Sequence, residues 1–227
     1  MPINDPTHRV GVLFSGGLDS AILIGHFLHQ SCDVVPLFIR SGLSWQHEEL
    51  LSVRRFCRAV ASPRLAEPVV LDMPLADVYD GHWSITGRNI PDASTEDEAV
   101  YLPGRNALLI IKAAIWCQLH DVGRLALGVL GTSPFEDAQV SYFKNLETVI
   151  NCPPAQPVRL TCPFAEMDKT QVMQQAGDLP VELTFSCLSP VEGHHCGTCN
   201  KCAERKKAFQ SAGLDDPTPY AAIGWPQ

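Results

Sequence analysis

The chain has 227 residues, 45% of them hydrophobic and 19% charged, the balance of a soluble protein with a substantial core. A formal net charge of −8 argues against gripping a nucleic-acid backbone and for a small-molecule partner. No apolar run is long enough to span a bilayer, and MPINDPTHRVGVLF lacks the layout of a secretory signal, so a cytoplasmic location is expected.

In chain order, residues 9–14 (RVGVLF) form a short apolar run that stops at Ser15-Gly16-Gly17, the pattern of a buried strand ending in a glycine turn. Asp19 or Ser20 is placed to cap the helix that follows. Residues 32–39 predict a second strand, 46–60 a helix, and 68–73 a third strand. The stretch 76–104 is polar and turn-rich, either a mobile loop over a site or a surface insertion. Residues 105–120 read as the clearest helix, with Asn106 a possible N-cap, and 124–131 as a fourth strand. A proline-rich linker is expected over 151–163, then a short helix at 167–177, a cysteine cluster and a last helix. The basic cluster Arg205-Lys206-Lys207 reads as a solvated helix face. This alternation predicts an α/β fold, a Rossmann-like parallel sheet with helices on both faces. The expected division is a nucleotide-binding domain over 1–160 and a C-terminal helical zinc-binding segment over 161–227.

The turn Ser15-Gly16-Gly17-Leu18-Asp19-Ser20 joins a strand directly to a helix. Backbone N–H groups and the positive helix end there suit an anion such as phosphate, with Ser15 and Ser20 hydroxyls adding hydrogen bonds. It lacks the Gly-Lys-Ser/Thr of a Walker loop and the third glycine of a dinucleotide fingerprint. Local physics also allows a plain strand-to-helix turn.

Nine cysteines are present. Cys187, Cys196, Cys199 and Cys202 crowd one segment, and in a chain without a leader this clustering points to metal rather than disulfides. Four thiolates would close a tetrahedral zinc site, structural rather than catalytic. An iron–sulfur cluster uses the same donors. His194 and His195, inside the loop, could substitute for a ligand, but with four cysteines filling the coordination sphere they read as exposed loop residues.

The SGG-x-DS turn after an N-terminal strand resembles the PP-loop of the ATP pyrophosphatases, of the adenine nucleotide alpha hydrolase type. Together with Leu102-Pro103-Gly104-Arg105-Asn106, MDKTQVMQQAG, the H-C-G-T-C-N-K-C run and AGLDDPTPY, the chain resembles the 7-cyano-7-deazaguanine synthase family nearly end to end. The resemblance implies adenylation of a carboxylate by ATP with Mg²⁺, displacement of AMP by ammonia to give an amide, and a second activation to a nitrile. It implies structural Zn²⁺ on the four cysteines and makes a homodimer the expected assembly. Carried over by position, the nucleotide stretch is Leu13, Phe14, Ser15, Gly16, Gly17, Leu18, Asp19, Ser20, Ala21, Ile22 and Leu23. Asp19, Ser20 and Arg105 are the catalytic candidates; Lys169 and Arg40 are candidates for nucleotide contact.

Two stretches depart from the family pattern: Arg40-Ser41-Gly42-Leu43-Ser44-Trp45 after strand two, and Thr132-Ser133-Pro134-Phe135-Glu136-Asp137 after strand four. Both follow strand C-termini, where open sheets bind ligands. Glu136 and Asp137 read either as ligands for Mg²⁺ or a base edge, or as a solvated turn; Trp45 and Phe135 either stack on a base or pack locally.

Overall fold

A computed structural model describes residues 8–153 and 156–221. Five parallel strands, β1 (Arg9–Leu13), β2 (Asp33–Arg40), β3 (Val69–Asp72), β4 (Arg124–Ala126) and β5 (Arg159–Thr161), form one sheet in the order β3-β2-β1-β4-β5. The order grows outward from β1 in both directions, so the switch point lies between β1 and β4. Ligands of open parallel sheets bind in the crevice there, beyond the strand C-termini.

The strands bury both faces because their side chains alternate. Val10, Val12, Phe14, Val34 and Phe38 face a layer built from α1 (Leu18–His29), α2 (Gln46–Val60), α6 (Lys169–Met173) and α7 (Asn200–Ala212). Val35, Leu37, Ile39, Leu125 and Leu127 face α4 (Arg105–Leu119) and α5 (Val140–Ile150) on the other side. A third cluster of Leu43, Trp45, Leu75, Tyr79, Leu102 and Phe185 with Cys187, Cys199 and Cys202 sits beyond the two layers.

The helix over 46–60 falls as predicted, and that at 105–120 ends one residue earlier. Several expectations change. The linker over 151–163 contains β5, an edge strand of three residues; its neighbouring prolines hid it, and edges are where sheets tolerate proline. Of that stretch, 154–155 lie outside the described residues, as do 1–7 of the segment read for a signal. The fourth strand is shorter than expected, ending at Ala126. Neither Asp19 nor Ser20 caps α1; Gly17 holds the cap position, because the Asp19 carboxylate is engaged by Lys169 and the Ser20 hydroxyl donates to the Gly17 carbonyl at 3.1 Å. Asn106 likewise lies inside α4, with Gly104 at the cap, and its Nδ2 donates to the Asp137 carbonyl at 3.3 Å.

The stretch 76–104 is pinned to the cysteine segment. The Ala93 N–H donates to the Thr198 carbonyl at 2.9 Å, and Asn200 Nδ2 to the Thr95 carbonyl at 3.0 Å. Within it, α3 (Trp83–Thr86) stacks Trp83 on Trp45 with ring centres 5.7 Å apart.

Candidate active site

The crevice at the switch point holds a cavity of about 350 Å³. Leu13, Ser15, Gly17, Leu18, Asp19 and Ser20 line its floor. Among the described residues, the backbone N–H groups of residues 15–20 form no hydrogen bond to protein. The glycine turn thus leaves a cluster of donors at the positive end of α1, the arrangement that binds phosphate. Two glycines make the turn possible. Gly16 has φ +86°, and a Cβ there would meet the Glu49 carbonyl oxygen at 3.0 Å. A Cβ on Gly128, just past β4, would lie 3.2 Å from the backbone of Asp19 and Ser20.

Phe14, Ala21, Ile22 and Leu23 are buried in the core beneath this floor, where they anchor the loop from behind. Lys169, at the start of α6, reaches across to Asp19 with its ammonium 2.8 and 2.9 Å from the two carboxylate oxygens, and 3.5 Å from Glu204. Lys201 pairs with Glu204 at 2.5 Å. Burial works against the Lys169 charge, but Asp19 and Glu204 outweigh it and hold its pKa above the ordinary lysine value. These four residues form a charged rim beside the loop. Arg105 opens α4 at the facing wall, its buried Nε without a partner among the described residues. Arg40 stands apart: it forms a two-pronged pair with Asp72 at the exposed end of β2 and does not line the cavity.

The other walls come from segments that the sequence left open. Trp45, Trp83, Tyr101 and Phe135 supply aromatic surface, with Tyr101 stacked on Phe135 at 5.5 Å. Asp137 is buried rather than solvated; its Oδ1 has no partner among the described residues, and burial raises its pKa. Glu136 is exposed. Glu49, which sequence reasoning missed, lines the same cavity from α2. A signal existed: it shares the buried stripe of Trp45, Ser52, Val53 and Phe56, where a charge is out of place.

The four cysteines come together, each Sγ within 4.8 Å of the others, and could hold a metal ion. The Cys187–Cys199 and Cys196–Cys202 sulfurs are 3.9 Å apart, near the edge of about 3.8 Å expected for a tetrahedron of metal–thiolate bonds of about 2.3 Å. N–H groups of Leu188, Ser189, Cys196, Thr198 and Cys199 donate to these sulfurs at 3.2–3.4 Å, a setting that favours thiolate charge. His195, expected at the surface, is buried; it accepts from the Ser186 N–H at 3.1 Å and packs on Phe185. His194 is exposed. Arg205 is no solvated side chain either. Fully buried, it donates to Thr218 at 2.6 Å, Thr184 at 2.8 Å and the Val181 carbonyl at 3.0 Å, tying 181–186 to α7.

The parallel sheet, the free-amide turn at its switch point and the cysteine segment define the PP-loop enzyme fold. A U34-tRNA thiolase NcsA from Methanococcus maripaludis, solved with its [4Fe-4S] cluster, shares this fold at a TM-score of 0.50 and 12% identity, covering 90% of this chain and 67% of that one. The family model for queuosine biosynthesis protein QueC matches residues 9–213, and the chain belongs to that family. A 7-cyano-7-deazaguanine synthase from Methylobacillus flagellatus is 31% identical over 226 residues, 92% of this chain and 95% of that protein. One from Chlorobium phaeobacteroides is 27% identical over 223 residues, 93% and 96% of the two. No helix among the described residues is long and apolar enough to cross a membrane.

Proposed function

We propose that the chain is an ATP-dependent carbon–nitrogen ligase that adenylates a carboxylate and converts it with ammonia to an amide and then a nitrile, with 7-carboxy-7-deazaguanine as the acid. The observation that carries this reading is the set of unbonded amides at residues 15–20 facing a cavity rimmed by Asp19, Lys169 and Arg105. Such a set grips a diphosphate that departs as the carboxylate attacks the α-phosphate. A carboxylate oxygen is a poor leaving group and AMP a good one, which is why activation precedes nitrogen attack.

In this reading the amides and the Ser15 and Ser20 hydroxyls hold the diphosphate, and Arg105 offsets the negative charge that builds at the α-phosphate. Mg²⁺ would be held by Asp19 and the phosphates, where it would neutralise charge on the leaving diphosphate. Asp19 must first release Lys169, whose ammonium is then free to turn to a phosphate oxygen. The aromatic walls suit a flat heterocycle, and the unpartnered Asp137 oxygen suits its N–H edge. Zinc fits the cysteine tetrahedron and would stabilise the segment carrying Phe185, Ser186 and Leu188, which line the cavity. The substrate is a free small molecule rather than nucleic acid, in a cytoplasmic setting where thiols stay reduced, with a homodimer as the assembly.

Incubation with Mg-ATP, ammonium and 7-carboxy-7-deazaguanine, followed by mass analysis, tests the reading. Amide or nitrile accompanied by AMP and diphosphate is expected. Turnover only with another acid would keep adenylation and discard this substrate; ADP and phosphate would discard adenylation.

A further inference from the structure

Glu49 projects from the first turn of α2 into the cavity, directly beside the phosphate loop. Its own backbone is in contact with that loop: the space a Gly16 side chain would need ends 3.0 Å away at the Glu49 carbonyl, and Ser52, one turn on, donates to the Gly16 carbonyl at 3.3 Å. Trp45 Nε1 donates to Glu49 Oε1 at 2.9 Å, fixing the carboxylate. Its other oxygen has no hydrogen-bond partner among the described residues and is not sealed in protein.

The remaining acids of the cavity are otherwise engaged. Asp19 gives both oxygens to Lys169, and Glu204 is shared between Lys169 and Lys201. The buried Asp137 Oδ1 is, in the reading above, taken up by the N–H edge of the heterocycle. Glu49 therefore presents a fixed, free carboxylate oxygen next to the place where an acyl–phosphate linkage must lie when diphosphate fills the loop.

Adenylation needs no base, because the carboxylate already carries the attacking lone pair. Nitrogen transfer does: attack by ammonia leaves a positively charged nitrogen that must shed a proton before AMP can depart. We propose that Glu49 is the general base of the nitrogen-transfer step, a role that rests on the adenylation reading given above. The ammonia lone pair forms the C–N bond at the acyl carbon. Glu49 takes one proton from that nitrogen, and the C–O bond to phosphate breaks with its electron pair leaving on AMP. The products are the amide, AMP and a protonated Glu49 that returns its proton to solvent. Burial pushes the Glu49 carboxyl up to about 7, against the pull of Arg105 from α4 and the Trp45 hydrogen bond and with help from Glu48, so it can take and release a proton near neutrality.

The test is Glu49→Gln, whose side-chain oxygen can still accept from Trp45, with circular dichroism and thermal melting to confirm the fold. Two steps are then read separately, using 7-carboxy-7-deazaguanine as probe: acid-dependent exchange of labelled diphosphate into ATP without ammonia, and product formation with ammonium. Exchange within about twofold of the parent is expected, with ammonia-dependent product down about 100-fold or more, the usual worth of a general base. Hydroxylamine, whose attack leaves a more acidic nitrogen that sheds its proton to water, should still trap the variant's adenylate as hydroxamate. If exchange falls as far as product formation, Glu49 serves nucleotide or metal binding and the proposal is wrong; unchanged product formation also overturns it. A parent that shows no exchange removes the adenylation reading itself, and this proposal with it.

Discussion

Asp19 and Glu49 are both acids at the mouth of β1, yet their surroundings give them different chemistry. Asp19 is tied to Lys169 through both oxygens, and in the proposed reaction it exchanges that ammonium for a metal cation. Asp19→Ala should lower diphosphate release roughly 100-fold or more while the melting temperature changes little, because the side chain is partly exposed. A large loss of stability with turnover retained would make the pair structural. Glu49 shows its environment in the pH dependence of folding. Its folded pKa lies near 7, above the ordinary 4.5, so the folded chain keeps a proton that the unfolded chain has lost across that interval. Stability from this group is present at the acid end and fades as pH rises to about 7. Arg105 opposes the shift and Glu48 reinforces it. Urea midpoints across pH 4.5 to 7 should fall more steeply for the parent than for Glu49→Gln, and equal slopes would show that Glu49 titrates normally in the fold. At this scale the sequence was readable where a residue type has one common use. Arg205 and His195 misled because a basic cluster and a loop position placed them at the surface, while hydrogen bonds to Thr184, Thr218 and Ser186 hold them in the interior.

Elements with strong periodicity were legible in advance: α2 and α4 carry apolar stripes over 15 residues each. β5 was not, because three residues are too few to show a period and the surrounding prolines point to a linker. The stretch 76–104 was ambiguous for a related reason. Its order comes from Thr198 and Asn200, more than a hundred residues later in the chain than Ala93 and Thr95. That dependence makes the cysteine segment a support for the cavity. Cys199→Ser should lose the metal that the four cysteines would hold, lower the melting temperature by several degrees and abolish product formation, since Cys199 sits at the cap of α7 and the bonds joining Thr198 and Asn200 to Ala93 and Thr95 hold the cavity wall. Metal analysis and circular dichroism on one preparation check this. A Cys199→Ser variant that remained folded and metal-loaded but inactive would contradict a structural metal.

For the whole molecule, the sheet order decides where chemistry takes place. Because β2 and β3 lie to one side of β1 and β4 and β5 to the other, the chain must open a crevice at the end of β1, and the SGG turn fills that position. Sequence motifs located the turn and the cysteines, which are local. They could not assemble the cavity, whose walls join residues from 45, 83, 101, 137, 185 and 204, distant in the chain and brought together only by packing. In the proposed reaction a carboxylate attacks the α-phosphate of ATP above the free amides of residues 15–20, which would leave one oxygen of the acid on AMP. Substrate acid labelled with heavy oxygen in its carboxylate tests it most directly. Mass analysis of the nucleotide product should find one labelled oxygen transferred to AMP. Unlabelled AMP, or label transferred to inorganic phosphate alongside ADP, would contradict it.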